Sequence, residues 1–149
     1  MLLPDTFSKK ALYALRAIFE LSTRTTAKPV KVHEIAKAQG IPSRFLEIIL
    51  SELRQGGFVL SRRGSEGGYS LACNPNQITI GDILHFIEAR PSNRNISISL
   101  GSRAGDYAFS ELWHNITSAI TNIYENTTFA DIVERELAAK DNFAPNYAI

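Results

Sequence analysis

The sequence has little cysteine, no long apolar run and almost no net charge, and each shortage narrows the class of protein. Cys73 is the only cysteine among 149 residues, so the chain cannot form an internal disulfide and suits the reducing cytoplasm. No apolar run approaches the roughly 18 residues that a membrane-spanning helix requires. The net charge of +1 favours no class of partner by itself. We therefore expect a cytoplasmic protein without a membrane segment.

The charges are unevenly distributed along the chain. Residues 1–68 contain 11 Lys and Arg against 6 Asp and Glu, a net charge of +5, whereas residues 69–149 contain 5 against 9, a net charge of −4. A basic N-terminal half suggests contact with a polyanion such as nucleic acid. A chance division of surface charge would produce the same pattern, so the interpretation depends on the motifs.

The stretch SRRGSEGGYSL, residues 61–71, places two arginines before three glycines. A loop of this kind could cradle a nucleotide phosphate in an enzyme, or it could form the tip of a β-hairpin beside DNA. No Gly-Lys-Ser/Thr follows it and it lies between two predicted strands, so it is not a Walker loop. The sequence also lacks a nucleophile elbow and shows no evident Ser/His/Asp set or carboxylate pair. We therefore do not expect an enzyme.

Helical periodicity dominates the N-terminal half. Apolar side chains repeat with a helical period over residues 8–24, where Ser8 is a candidate N-cap. A short helix over residues 31–39 ends at Gly40, and Pro42 suits the first turn of the next helix. Two helices joined by so tight a turn are typical of a helix-turn-helix. The spacing predicts that the third helix buries Phe45, Leu46, Ile49, Leu50 and Leu53.

A β-hairpin is predicted directly after these helices. Residues 58–60 form one expected strand, Tyr69 and Leu71 lie on the returning strand, and the intervening glycines suit the tip. A helix-turn-helix followed at once by a hairpin is a winged helix. The predicted fold class is therefore mainly α with a small β-hairpin (α+β), and the winged helix-turn-helix domain occupies residues 1–90.

The C-terminal half is predicted to add helices. A helix over residues 79–89 is followed by an aperiodic loop, residues 91–105, and a long helix begins at Asp106. A capping arrangement at Thr128 and Asp131 opens a short helix, which ends the segment 106–138, and residues 139–149 are expected to form a flexible tail. The long helix carries one apolar stripe, formed by Phe109, Leu112, Trp113, Ile116, Ile120 and Ile123.

That stripe is longer than a small winged helix can cover. We expect a second copy of the chain to cover it, as in a coiled-coil-like seam, which makes the stripe a predicted dimer interface. Packing of the long helix back onto its own domain is the alternative.

The residues IPSRFLEIILSELRQGGFVLSRRGSEGGYSLA, followed by ITIGDILHFIEA, resemble the IscR/NsrR/CymR family of bacterial winged-helix transcription regulators. The resemblance extends over roughly residues 8–134 and includes the long helix. It implies a homodimer that binds double-stranded DNA at partly palindromic operators, and many such regulators are repressors. The resemblance also implies that the long helix is the dimerisation helix.

The sequence departs from this family in one important respect. Many members hold an iron–sulfur cluster on three cysteines in the loop before the dimerisation helix, and that loop has none here. The family's histidine ligand would fall near Ser110, which cannot replace it. One thiolate per subunit is far short of the four ligands that a cluster normally requires. We therefore expect no iron–sulfur cluster, no other cofactor and no metal.

The second helix of the helix-turn-helix carries the first set of candidate DNA contacts. Ser43, Arg44 and Glu47 lie opposite the predicted buried face and near the N-terminus, the part of a recognition helix that enters the major groove. Arg44 can donate two hydrogen bonds to guanine, and Glu47 can accept one from cytosine N4. In the alternative interpretation the three form an ordinary solvated helix face.

The wing and the first helix supply the remaining candidates. Arg62 and Arg63 flank the wing tip, where a narrow minor groove attracts arginine, and Ser65 lies at the tip itself. At the start of the first helix, Ser8, Lys9 and Lys10 are candidates for backbone phosphate contacts, although solvation is the commoner fate of a single lysine.

The function expected from these observations is sequence-specific regulation of transcription by a DNA-binding homodimer. One alternative is a regulator controlled by a bound protein partner, acting mainly as an interaction module. Another is a sensor with a small-molecule pocket between the wing domain and the long helix. The effector is not identified by the sequence.

Overall fold

A computed structural model describes residues 7–24, 28–88 and 103–143 of the chain. Within these ranges the chain forms six α-helices, one antiparallel hairpin and a short 3-10 helix at Pro75–Gln77. The predicted fold class is confirmed. In chain order the elements are α1 Lys9–Ser22, α2 Val32–Gln39, α3 Ser43–Gln55, β1 Val59–Arg62, β2 Gly68–Leu71, α4 Ile80–Glu88, α5 Asp106–Glu125 and α6 Phe129–Phe143.

Helix α1 is the centre of the packing because three of its buried side chains are small. Ser8 caps the helix, its Oγ accepting from the Ala11 N–H at 3.1 Å, as predicted. The buried residues include Ala11, Ala14 and Ala17, whose small side chains allow α2, α3, α4 and α6 to pack closely around the helix.

Helices α2 and α3 form the predicted helix-turn-helix. Helix α2 ends at Gly40 with a left-handed φ of 63°, and the buried Ile41 anchors the turn in the core. Helix α3 buries Leu46, Ile49, Leu50 and Leu53.

The prediction that Phe45 is buried is wrong, because 60% of the residue is exposed. At about 100° of rotation per residue, the four buried residues of α3 fill one arc, and Phe45 lies beyond the edge of that arc. Its spacing of four from Ile49 was therefore a misleading signal.

The hairpin is fixed to the helical part of the domain by backbone pairing. Strand β1 runs antiparallel to β2, with Val59 opposite Leu71 and Arg62 opposite Gly68. On the other edge of β2, Tyr69 and Val30 exchange two backbone hydrogen bonds, both 2.8 Å long. A side chain at position 68 would collide with the Val30 carbonyl, so glycine permits this close pairing. The wing is consequently tied to the segment that leads into α2.

Backbone hydrogen bonds join the C-terminal helices to the winged-helix core. The Ile80 N–H donates to the Thr127 carbonyl at 2.9 Å, and the Phe129 N–H donates to the Ile78 carbonyl at 3.0 Å. Phe129 is 1% exposed and belongs to the same hydrophobic cluster as the α1 and α3 residues. The beginning of α6 is therefore part of the winged-helix core rather than an appendage.

The predicted capping arrangement of α6 is confirmed. The Thr128 N–H donates to Asp131 Oδ2 at 2.9 Å, and the Asp131 N–H donates to Thr128 Oγ1 at 3.1 Å. The hydrogen bonds from the Thr128 backbone and side chain lower the pKa of Asp131 below its ordinary value.

Helix α6 is longer than expected. We expected the flexible tail to begin at residue 139, but the helix continues to Phe143. Ala138, Ala139 and Lys140 are strong helix formers, and Lys140 lies 3.9 Å from Glu136 one turn earlier. Residues 144–149 of the predicted tail, and residues 91–102 of the predicted loop, lie outside the described residues.

Candidate nucleic-acid interface

The exposed face of α3 begins at the N-terminus of the helix. Ser43, Arg44 and Glu47 are all exposed and share one arc of the helix surface. At about 100° per residue, Arg44 lies opposite the buried face as expected, whereas Ser43 and Glu47 lie nearer its edge, beside Leu50. Whether they contact DNA stays a prediction.

The wing presents the second group of candidates. Arg62 ends β1, Arg63 follows it, and Ser65 lies in the turn before Gly67; all three are exposed. Glu66 is exposed at the same tip and would oppose a phosphate. The wing borders a groove of about 640 Å³ whose lining includes Lys28, Lys31, Glu34, Arg62 and Glu66. The two carboxylates offset part of the positive charge there.

The arginines of these two groups have no carboxylate partner. Across residues 7–24, 28–88 and 103–143, no ion pair involves Arg44, Arg62 or Arg63. Their guanidinium groups are therefore available to an external anion or a base edge.

Two of the three candidates at the start of α1, unlike these arginines, contact carboxylates of the chain. The Ser8 hydroxyl donates to Glu88 Oε1 at 2.7 Å while it caps the helix, and Lys10 Nζ lies 2.6 Å from Glu52 Oε2. Both groups are thus already engaged within the chain. Lys9 is exposed and is the member of this set most available to a phosphate. The proposed phosphate contacts of all three remain predictions.

A buried carboxylate holds the helix-turn-helix against α1. Glu20 is 9% exposed, and its two oxygens accept from Arg24 at 2.8 Å and from Gln39 at 2.7 Å. Because Gln39 is the last residue of α2, this contact fixes the end of α2 just before the turn. The periodicity did not identify Glu20, since a charged residue on a buried face breaks the apolar pattern.

Two further contacts hold the wing, one against α3 and one against α4. Arg54 donates to Ser61 Oγ at 3.1 Å and connects the end of α3 to β1. The rings of Phe58 and Phe86 pack edge to face with centroids 5.3 Å apart, which fixes the base of the wing on α4.

Two exposed apolar side chains on α3 are unexpected. Phe45 is 60% exposed and Ile48 is 57% exposed, and both lie in the first two turns of the helix, among Arg44 and Glu47. Sequence periodicity missed Ile48 because an isolated isoleucine outside the i, i+3, i+4 stripe carries no periodic signal. The signal available in the sequence was the position of Ile48, which lies four residues after Arg44 and therefore near it on the helix surface.

No described part of the chain covers the apolar stripe of α5. No residue of this helix is buried, and Phe109, Leu112, Trp113, Ile116 and Ile123 are exposed, while Ile120 is partly buried. The rings of Phe109 and Trp113 stack with centroids 6.5 Å apart. Among the described residues, the chain's own domain does not bury the stripe, contrary to the alternative in which α5 packs back.

Metal-binding side chains do not cluster in the described part of the chain. No group of three or more His, Cys, Asp or Glu side chains converges among the described residues. The undescribed residues 89–102 contain none of these four residue types in the sequence. Cys73 is an isolated, exposed thiol after the wing. Among the described helices, none is both long and apolar enough to cross a membrane.

Comparison with known protein sequences identifies relatives of one class, transcriptional regulators. The family model described as Rrf2, iron-dependent transcriptional regulator, matches residues 7–135. The HTH-type transcriptional regulator Rv1287 of Mycobacterium tuberculosis is 39% identical over 127 residues, which is 84% of this chain and 79% of that protein.

Comparison with solved structures also identifies regulators. The global cysteine regulator CymR of B. subtilis is 32% identical with a TM-score of 0.75, over 87% of this chain and 96% of CymR. The T. potens IscR is 29% identical with a TM-score of 0.69, over 87% of this chain and 86% of that chain.

Proposed function

Because this chain belongs to the Rrf2 family of DNA-binding transcriptional regulators and is not an enzyme, we propose that it is a homodimeric, sequence-specific repressor that carries no iron–sulfur cluster. The observation that carries the proposal is the grouping of three arginines, Arg44 on α3 and Arg62 and Arg63 on the wing, on exposed parts of a winged helix, where none of them has an ion-pair partner among the described residues. Phosphate contacts would supply most of the affinity and base contacts the sequence choice.

Helix α3 enters the major groove with Arg44 on a guanine and Glu47 on a cytosine N4, while Ser43 contacts either a base or the backbone. The wing places Arg63 in the adjacent minor groove, with Arg62 and Ser65 on the flanking phosphates. Lys9, at the start of α1, is expected to add a backbone contact.

Two copies of the chain pair along α5. The uncovered stripe from Phe109 to Ile123 supports this pairing, because an exposed apolar face of this length is costly in water and a second copy offers the same face. A two-fold dimer presents two α3 helices, so its operator is partly palindromic, with half-sites about one helical turn apart.

In this proposal, the regulatory signal does not act through a bound iron–sulfur cluster. The lone exposed Cys73 and the lack of a converging donor group among the described residues support this part of the proposal. A bound protein partner is the second candidate for the signal, with the chain then acting mainly as an interaction module. As a regulator of chromosomal DNA in bacteria, the protein is expected to work in the cytoplasm.

The experiment that tests the proposal is selection of bound duplexes from genomic fragments, followed by an electrophoretic shift assay. We expect retained fragments to share a partly palindromic site, and we expect Arg44→Ala and Arg63→Ala each to weaken binding by about 10-fold or more. Failure to retain any fragment at low salt would contradict the proposal. An absorption spectrum of anaerobically purified protein is expected to lack bands from iron and sulfide, and such bands would contradict the cluster-free form.

A further inference from the structure

Phe45 and Ile48 form a small apolar patch on the outer face of α3. The two residues are three positions apart, so they are neighbours on the helix surface, and more than half of each is exposed. A single exposed apolar residue needs no explanation. Two adjacent ones at the projecting end of this helix require a partner that the described part of the chain does not supply.

The patch contributes little to the helix itself. Aromatic and β-branched residues are weaker helix formers than the Gln, Glu, Lys or Arg usual on an exposed face. Core packing is already provided by Leu46, Ile49, Leu50 and Leu53 on the buried arc, and Phe45 and Ile48 lie beyond the edge of that arc. The stabilisation from Phe45 and Ile48 must therefore be gained on binding.

The neighbours of the patch identify the partner. Arg44 lies one turn before Ile48 and about 40° from it around the helix, so a partner that covers Ile48 also covers the Arg44 charge. An apolar protein surface would leave this charge buried without a partner, which is costly. The major groove offers hydrogen-bonding base edges for Arg44, and for Glu47 farther round the helix, together with one apolar group, the C5-methyl of thymine.

We propose that Phe45 and Ile48 contact thymine methyl groups in each half-site, next to the base pairs that Arg44 and Glu47 read. This inference rests on the proposed function and adds a specificity rule to it. The operator must carry A·T pairs, with thymine on the strand facing the patch, at the positions beside the guanine and cytosine contacts.

The test replaces thymine by deoxyuridine, which removes the methyl group and leaves every hydrogen-bonding group in place. Operators are first selected from a random duplex pool with the wild-type protein. Each thymine of a half-site is then exchanged singly, and binding is measured by fluorescence anisotropy. We expect affinity to fall about fourfold for each contacted methyl, and about 16-fold when both half-sites are changed.

Variants assign the methyl groups to their residues. Ile48→Ala is expected to bind the unmodified operator more weakly and to lose its sensitivity to deoxyuridine at one position, and Phe45→Ala to do so at another. Ile48→Leu, which keeps an apolar surface, is expected to retain the sensitivity. Leu137→Ala is the matched control, because Leu137 is 58% exposed on α6, away from α3, and its removal should change neither affinity nor sensitivity.

Three results would overturn the inference. If the wild-type protein binds its operator with dependence on Arg44 but tolerates deoxyuridine everywhere, the methyl contacts do not exist and the regulator proposal stands. If deoxyuridine weakens all variants equally, the methyl effect arises from DNA shape rather than from Phe45 and Ile48. If no duplex is ever selected, the proposed function fails first and this inference fails with it.

Discussion

At the residue scale, the stability of the helix-turn-helix depends on one buried carboxylate. The Glu20 carboxylate accepts hydrogen bonds from Gln39 of α2 and from the partly exposed Arg24 at the same time. We expect Glu20→Ala to lower the free energy of unfolding by about 1–2 kcal/mol, because the half-buried Gln39 amide is left without its acceptor while Arg24 can turn to water. Urea denaturation followed by circular dichroism provides the measurement.

The control for this prediction is Glu136→Ala. Glu136 pairs with Lys140 on the exposed side of α6, where an ion pair contributes at most about 0.5 kcal/mol. Equal effects of the two substitutions would show that the Glu20 contacts add nothing beyond surface charge.

Asp131 gives a prediction for pH dependence. Hydrogen bonds from Thr128 lower its pKa in the folded protein below its ordinary value of 3.8. A group whose pKa is depressed by folding stabilises the protein above the unfolded value, and this contribution disappears as the pH falls through the folded value. We expect Asp131→Asn to lower the melting temperature at neutral pH, and the difference from wild type to shrink below about pH 4.

The control for Asp131 is Asp141→Asn, since Asp141 is an exposed residue late in the same helix. A difference between Asp131→Asn and wild type that persists unchanged in strong acid would rule out the carboxylate as the source.

At the element scale, α5 carries the prediction about assembly. Ile116→Asp places a charge in the middle of the apolar stripe, and we expect it to convert a dimer into monomers at micromolar concentration, because the charge would be buried without a partner. Sedimentation velocity measures the outcome. Ser118→Asp adds the same charge to the opposite, exposed side of α5 and should leave the dimer intact.

If Ile116→Asp stays a dimer with an unchanged sedimentation coefficient, the α5 seam is not the interface. The stripe would then require a different partner, and the spacing of the two α3 helices would have to be established from another contact.

The elements also show what the sequence could predict. The order of helices and the wing followed from local signals: the Ser8 cap, Gly40 between two helices, and the glycines between two apolar strands. The exposure of Phe45 could not be predicted, because helical spacing leaves the edge of a buried arc undetermined by about one residue. The extent of α6 was underestimated because favourable helix formers followed a segment that resembled a frayed end.

The candidate site was predictable in part. The exposed Arg44, Glu47 and wing arginines lie where their positions in the helix-turn-helix and hairpin required. The tertiary pairs that engage Ser8 and Lys10 could not be foreseen, since Glu88 and Glu52 are 80 and 42 residues away in the chain. Such long-range pairs leave no periodic trace in a sequence.

At the scale of the whole molecule, the basic residues 1–68 contain α1, α2, α3 and β1, and the acidic residues 69–149 contain α4, α5 and α6. The backbone hydrogen bonds of Ile80 and Phe129 join the segment after the wing to the turn between α5 and α6, so a change in the pairing of α5 would be transmitted to α4 and the core. Binding of the duplex should therefore depend on dimerisation as well as on the arginines.

The most direct test of the central claim is the affinity of the protein for its selected operator as a function of salt concentration. We predict that two protomers bind one duplex and that log K falls linearly with log salt. Replacing Arg62 and Arg63 by Ala should reduce the slope by about 0.9 for each phosphate that the variant no longer neutralises. A slope unchanged by these substitutions, or an affinity for the operator no greater than for random duplex, would contradict the account.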